Sequence, residues 1–478
     1  MEKEEIKKRL EEIAGKEWVR DDAATLFLYS RDMTENEPHA PDWVVMPENP
    51  GEIQAVMRLA NETLTPVTPY VSGANVGGLT IPVKGGIILD LKRMNRILEI
   101  NESDMYALVE PGVTFGHLRA DLDRNHPKLI YTYPMAPPFT SVTCNALLDG
   151  LCNLSHPHGA TSDWINSLEV VLPSGELARI GSAAISGRWV SRVPLPDLAG
   201  LFIGWQGLTG IVTKIAVQLC PKPAFLKRAF ILPYSYSTAY EMMRELSWTR
   251  VLDDIAGLSW VAGKMMYGRH GPITRDPGEP GFILFVEYSA NTRSELWSKT
   301  MILNNLLKDF ERKGKTFEGP LDINAILRFF PEYAKLANFP TTLDFLLDYA
   351  ESGGFSWVGS YGPTSNWTSP TEKGSAIMEK YGFPPLFNCR SMKGGHYGSL
   401  RFLIPFDKRD PEVTKKLRIC LEEICDLLLD EGFIPYKAPN WAAKKIISRA
   451  DPGWVNLLKT VKNALDPNGI LNPGHWGF

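Results

Sequence analysis

Three glycines fall within the six residues "GANVGG" (73–78), between the Pro-punctuated run "LTPVTPYVS" and the strand-like "GGIILDL". Glycine turns the chain at positive φ and lets main chain approach a bound group closely, because no Cβ stands in the way. The stretch is therefore a candidate for a ligand lying against peptide groups, with an ordinary tight turn as the competing reading. His156 and His158 in "LSHPHGATSDW" are of metal-ligating type. No third or fourth ligand follows at useful spacing, so no metal is expected and local hydrogen bonding is their expected role. The six cysteines form neither CxxC pairs nor the spacing of a zinc or iron–sulfur site and are expected to be reduced, mostly buried thiols. Arg390, Lys393 and Arg401 could hold an acidic substrate, with solvated surface charge as the default expectation.

These groups need a scaffold, and 478 residues suggest two large domains or one two-lobed unit. With 44% apolar and 22% charged residues the composition is globular, and a net charge of −4 offers nothing to a nucleic acid backbone or an anionic membrane. Ile6, Leu10 and Ile13 recur at helical spacing among charges, which describes an amphipathic helix and no signal peptide. No apolar run reaches the roughly 18 residues of a membrane span, so a cytoplasmic location is expected. "PDWVVMPENPGEIQAVMRLANE" reads as strand, turn and helix, and "SLEVVLPSGELARI" as a hairpin around Pro-Ser-Gly. The prolines of "CPKP" (220–223) mark a boundary, beyond which helical segments alternate with strand-like runs such as "GFILFVEYS" and "SLRFLIPFD". A closing helix carries Val455, Leu458, Val461 and Leu465 on one side, followed by a Pro/Gly-punctuated tail. The expected class is α+β with two lobes.

"PENPGEIQAVMRLAN", "SGANVGG", "GGIILDLKRMNRILEIN", "LVEPGVTFGHL", "SLEVVLPSGE", "GLTGIVTKIAVQLCPKP" and "VKNALDPNGILNPGHWG" occur in this order over nearly the whole chain. Together they resemble the vanillyl-alcohol oxidase / p-cresol methylhydroxylase superfamily of FAD-dependent oxidoreductases. The resemblance implies a PCMH-type FAD-binding domain over 1–224, a substrate-binding cap over 225–441, and a C-terminal segment, 442–478, that returns to the first domain. It implies that Ser72, Gly73, Ala74, Asn75, Val76, Gly77 and Gly78 wrap the FAD pyrophosphate, where successive N–H groups can point at phosphate oxygens. By the same resemblance Pro111, Gly112, Val113, Thr140, Ser141, Thr143, Asn145, Gly159, Ser162, Asp163, Gly210, Ile211 and Val212 line the cofactor.

The resemblance also implies hydride transfer from a small organic substrate to flavin N5. In the phenol-oxidising branch a cation and tyrosine hydroxyls hold a phenolate; Tyr436 and Lys437 of "PYKAPN" stand where that branch has a Tyr-Arg pair. Lysine keeps the charge and loses the planar fork. Val76 replaces a tyrosine of that branch, Met135 and Ala136 stand where a carboxylate enters, and His396 lies a few residues before the family's active-site position, nearer Ser399. His475 in "ILNPGH" takes the place of a basic residue near the flavin N1/C2 carbonyl or the substrate, and can supply positive charge there only when protonated. FAD is expected to be noncovalent, with a tyrosyl link through Tyr349 as the alternative.

The runner-up activity is a 2-hydroxy-acid dehydrogenase of the D-lactate/glycolate group, although the His-rich "HxGDGNxH" metal motif of many such enzymes is missing from this sequence. A third reading is an electron-transfer flavoprotein subunit of a larger complex. The expected partners are a small-molecule substrate and an electron-acceptor protein (a cytochrome, an iron–sulfur protein or an electron-transferring flavoprotein), with homo- or hetero-oligomers both open.

Overall fold

The computed structural model describes residues 2–74, 76–266, 273–329, 331 and 353–478. The first lobe holds two sheets. In the smaller, four-stranded sheet, Trp43–Val45 and Val67–Tyr70 run parallel to the central strand Ile87–Asp90, and Val19–Arg20 pairs antiparallel at the edge. The central strands are buried on both faces, which is why they read as unbroken apolar runs. The helix Pro50–Thr63 covers them with Ile53, Val56, Met57, Leu59 and Ala60. Asn49 caps it by accepting from the Glu52 N–H at 3.1 Å, Pro50 occupies its first turn, and the chain leaves through a left-handed Leu64 (φ 53°).

The second sheet is five-stranded and antiparallel, in the order Ile97–Asn101, Tyr106–Val109, Ile211–Gln218, Ile165–Val171, Leu177–Ile180. Its last two strands are the hairpin that the Pro-Ser-Gly turn announced. From Phe225 onward the chain builds an eight-stranded antiparallel sheet. Its order is Phe317–Asp322, Phe225–Pro233, Phe282–Ala290, Asp254–Ser259, Phe387–Met392, Tyr397–Phe406, Gly354–Gly362, Ile434–Pro435. The helix Pro411–Asp430 packs Leu417, Cys420, Leu421, Ile424, Cys425 and Leu428 on the same core. The architecture is α+β.

The closing helix, Pro452–Leu465, differs from its sequence pattern: the expected apolar face is only half-buried, and its one buried side chain is Lys462. The Lys462 ammonium donates to the carbonyls of Leu208 (2.8 Å) and Leu471 (2.9 Å) and pairs with Asp466. A buried cation so fully satisfied is tolerated, and here it ties the tail to the first lobe. Val67 N–H donates to Ile470 O and Asn472 N–H to Val67 O, both at 2.8 Å, so the tail adds itself beside the small sheet.

Candidate active site

Between the two sheets of the first lobe runs a trough of about 1000 Å³, counting the part of it that is open to solvent. Four loops wall it: 69–80 after the parallel strand, Pro111 after Tyr106–Val109, the start of the short helix Val142–Leu147, and 206–212 leading into Ile211–Gln218. Ser72, Gly73, Ala74, Val76, Pro111, Thr140, Thr143, Asn145, Gly210, Ile211 and Val212, all from the expected cofactor set, line it. The buried Thr140 Oγ1, Thr143 Oγ1 and Gln206 Oε1 have no hydrogen-bond partner among the described residues, and all three residues face the trough. Buried polar atoms are normally satisfied, and a dinucleotide offers ribose, phosphate and ring groups for them. The trough fits FAD.

The rest of the predicted cofactor set sits behind that wall. Gly77 and Gly78 are not in it: a Cβ on Gly77 would stand 2.6 Å from the Lys437 carbonyl oxygen, and one on Gly78 (φ +68°) 2.8 Å from the Asn36 amide nitrogen. Gly78 N–H is taken by the Asp32 carboxylate at 2.9 Å, so that amide serves the protein. Gly73 (φ +66°) makes room for the Tyr70 hydroxyl. These glycines are there to let protein approach protein. Gly112 fits under the carbonyls of Lys92 and Met94, Val113 is core, and Ser141 donates its hydroxyl to Pro111 O at 2.6 Å. Gly159 and Asp163 belong to the contact between lobes, where Asp163 pairs with Lys393 at 2.8 Å and a Cβ on Gly159 would stand 2.7 Å from Lys393 Cε, whereas Ser162 donates to Asp149 within the first lobe. Asn75 and Tyr349 lie outside the described residues.

A second cavity, partly open to solvent, adjoins the trough and shares Ala74, Val76, Asn145 and Lys437 with it. Its other walls come from Pro134–Pro137 of the first lobe and from Phe355, Trp357 and Leu403 of the large sheet. Tyr436 stands here, its ring 4.5 Å from Tyr361 and 5.3 Å from Trp357. Tyr361 lends its hydroxyl to Asp149 O at 2.6 Å and so props Tyr436 in place. Burial raises the Tyr436 pKa against the pull of the Arg401 guanidinium, which keeps the hydroxyl a donor at neutral pH. Lys437 adopts a left-handed backbone (φ 49°), uncommon for a side chain of its size and a mark of a position held by its surroundings. Burial, with Arg401 nearby, lowers its ammonium to about 8, and Asp149 opposes that shift.

Two of the three basic residues depart from the surface-charge expectation. Arg401 is 9% exposed, lines the cavity, and donates its Nε to Asn388 Oδ1. Arg390 is 2% exposed and paired with Asp254 at 3.2 Å. Only Lys393 is a solvated surface charge. The available signal was position: both arginines interrupt strand segments, "FNCRSM" and "SLRFLIPF", whose residues are otherwise set for burial. His396 does not join Tyr436 and Lys437. It is exposed in a surface cleft with Trp248, Arg250 and Lys393, five residues along the chain from Arg401, which an extended strand converts to about 16 Å. His475 is 1% exposed, and burial pushes it down to about 4, so its ring is neutral at pH 7 and supplies no positive charge. His156 and His158 are also lowered by burial; His156 meets Ser391 at 3.3 Å and His158 lies edge-on to Trp164.

Residues 41–181 match a family model described as FAD binding domain, and residues 443–476 one described as FAD linked oxidases, C-terminal domain. A glycolate oxidase subunit of Bacillus subtilis is 26% identical, the alignment covering 98% of this chain and 96% of the relative. The 4-cresol dehydrogenase (hydroxylating) flavoprotein subunit of Pseudomonas putida is also 26% identical, covering 98% and 94%. Among solved structures, p-cresol methylhydroxylase with substrate bound superposes with TM-score 0.87 at 23% identity, over 99% of this chain and 96% of that one. The 4-ethylphenol oxidase of Gulosibacter chungangensis gives 0.86 at 23% identity, over 99% and 97%.

Proposed function

We propose that this chain, which belongs to the FAD-linked oxidoreductases of the p-cresol methylhydroxylase type, oxidises a phenol that carries a C–H bond on its para-alkyl carbon. FAD supplies, when bound, a two-electron acceptor for hydride at N5. The observation that carries the reading is the cavity beside the trough: aromatic and aliphatic walls, with Tyr436 and Lys437 converging where the two spaces meet.

In this reading the Tyr436 hydroxyl donates to the phenol oxygen, and the Lys437 ammonium holds that oxygen as the anion. Negative charge on the oxygen delocalises into the ring and weakens the para benzylic C–H bond towards loss as hydride. Tyr361 fixes the Tyr436 ring, and Trp357 and Phe355 keep water away, which strengthens each charge–charge contact. A left-handed Lys437 whose carbonyl packs on Gly77 couples the substrate clamp to the cofactor loop. Two similar relatives are named for glycolate and for cresol oxidation, so the deciding experiment offers both substrate classes. Anaerobic addition of 4-alkylphenols is expected to bleach the oxidised flavin, with 2-hydroxy acids leaving it yellow. Bleaching by 2-hydroxy acids alone would replace this reading with the hydroxy-acid one, and bleaching by neither would favour an electron-transfer subunit. Oxidation requires an acceptor for the electrons; the proposed acceptor is a partner protein, as the word subunit in the cresol relative's name suggests. No helix among the described residues is long and apolar enough to cross a membrane.

A further inference from the structure

The end of the large sheet sets three polar side chains in a row across the outer cavity. Arg401 lies opposite Asn388 on one neighbouring strand and opposite Gly359 on the other, and the Tyr436 N–H donates to Gly359 O at 3.0 Å. Asn388, Arg401 and Tyr436 all line the cavity. Arg401 spans the other two: its Nε donates to Asn388 Oδ1, and its guanidinium hydrogen-bonds the Tyr436 hydroxyl. The Trp357 ring, 5.3 Å from that of Tyr436, lies 5.8 Å from the centre of the guanidinium and so backs both groups. A guanidinium has donors and no acceptor. The Tyr436 oxygen is therefore the acceptor in this bond, and the Tyr436 hydrogen points elsewhere. The neutral Tyr361 hydroxyl stands beside it, and a phenolate oxygen is the stronger acceptor of the two. Arg401 and Lys437 are cations, the Asp149 carboxylate acts on Lys437 and Tyr436 from the first lobe, and Arg390, the other cation that acts on Arg401, is paired with Asp254 at 3.2 Å. Tyr361 and Cys144 face the same groups, and burial pushes both up, so both are uncharged at neutral pH. One positive charge stays uncompensated, the complement of one phenolate.

We propose that Arg401 is a positioning residue of the phenolate pole: by donating to the Tyr436 oxygen it turns the Tyr436 O–H towards a bound phenolate, strengthens it as a donor, and keeps a positive charge standing behind that bond. This rests on the phenol reading above. Asn388 holds the guanidinium in register, and Arg401 leaves the direct contacts with the anion to Tyr436 and Lys437. Arginine keeps its charge at every working pH, which a lysine ammonium does not. Arg401 also bears on Lys437 as a like charge, so its removal lets the ammonium persist to higher pH.

4-Nitrophenol and 4-nitroanisole share one body and lack a para-alkyl C–H bond, so their binding to the FAD-loaded protein can be followed by difference absorbance without turnover; only the first can bind as an anion. Arg401→Met is expected to weaken 4-nitrophenol about tenfold or more and 4-nitroanisole by less than about twofold. Between pH 8 and 10.5, where 4-nitrophenol is already anionic in solution, its binding to the wild type should fall as Lys437 loses its proton, and in Arg401→Met that fall should move to higher pH. Arg401→Lys keeps the charge and cannot span Asn388 and Tyr436; it should restore part of the affinity and leave the fall near pH 8. Flavin absorbance and the melting curve of each variant establish that it is folded and loaded. Should Arg401→Met not fold, an intermediate loss in Arg401→Lys upholds the role and full affinity there overturns it. Equal losses of both ligands in Arg401→Met, an undiminished affinity for 4-nitrophenol or an unmoved pH profile would each overturn the role of Arg401 and spare the phenol reading. A wild type that binds the two ligands equally would overturn the phenol reading, and the role of Arg401 with it.

Discussion

The trough and the outer cavity touch along four residues, yet they are built on opposite plans. The trough is walled by loop backbone, small side chains and hydroxyls, with Lys437 as its one cation among the described residues. The cavity is walled by large aromatic and aliphatic side chains and holds two cations. A nucleotide is recognised largely through main-chain groups and dipoles, which need close approach and no net charge. A small anionic aromatic is recognised through a few charged and hydroxyl groups set in an apolar wall. Such a division separates holding from reacting, and it can be broken one residue at a time.

The largest effect should come from the seam. Gly77→Val places a branched side chain where even a Cβ stands 2.6 Å from the Lys437 carbonyl, and backbone cannot yield as a flexible side chain can. Both spaces should fail together: the purified protein is expected to lose most of its yellow colour and its phenol binding, read by absorbance and calorimetry. Full FAD content would show that the loop and the Tyr436–Lys437 turn are independent. Next in size, Tyr436→Phe should leave FAD content unchanged and slow anaerobic flavin reduction by 4-alkylphenols about 100-fold, the usual cost of one preorganised donor.

Lys437→Met sharpens the comparison, since this residue faces both spaces. The wild-type reduction rate is expected to fall as pH rises through about 8, where burial has placed the ammonium; the variant should be slower, by about tenfold, and lack that inflection. Stability should carry the opposite sign. The folded pKa lies below the ordinary 10.5, so protonated Lys437 is penalised by folding; wild type relative to the variant should gain stability between pH 8 and 10.5 and carry the whole penalty below 8, read by melting temperature. The smallest effect belongs to His396→Ala. From its exposed cleft it should change reduction less than about twofold, the level at which surface substitutions fall.

The same contrast explains what the sequence disclosed. Glycine spacing, a Pro-Ser-Gly hairpin and the order of apolar runs lie in contiguous residues, and the trough is made of such residues; Ser72, Ala74, Thr143 and Ile211 were legible for that reason. The purpose of the glycines was less legible, because Gly77 and Gly78 answer to Lys437 and Asn36, which are remote in sequence. The cavity is assembled from segments near 134, 357, 388, 401 and 436, brought together by strand pairing across the large sheet. Tyr436 and Lys437 were found through resemblance, whereas Arg401 was given the default of a surface charge although the apolar run around it, "SLRFLIPF", marks a strand covered on both faces. His475 was expected to act when protonated, whereas burial lowers its pKa to about 4.

The docking of the tail sets a schedule for manufacture. Val67 receives its last two backbone partners from Ile470 and Asn472, and Gln206, on the trough wall, is clasped by Ala438 and Asn472. A ribosome that has finished the first lobe must translate some 250 further residues before those clasps exist, at about 5–20 residues per second. The nascent first lobe therefore waits many seconds with Val67 and Gln206 unlatched, until the strip around Ile470 and Asn472 has been made.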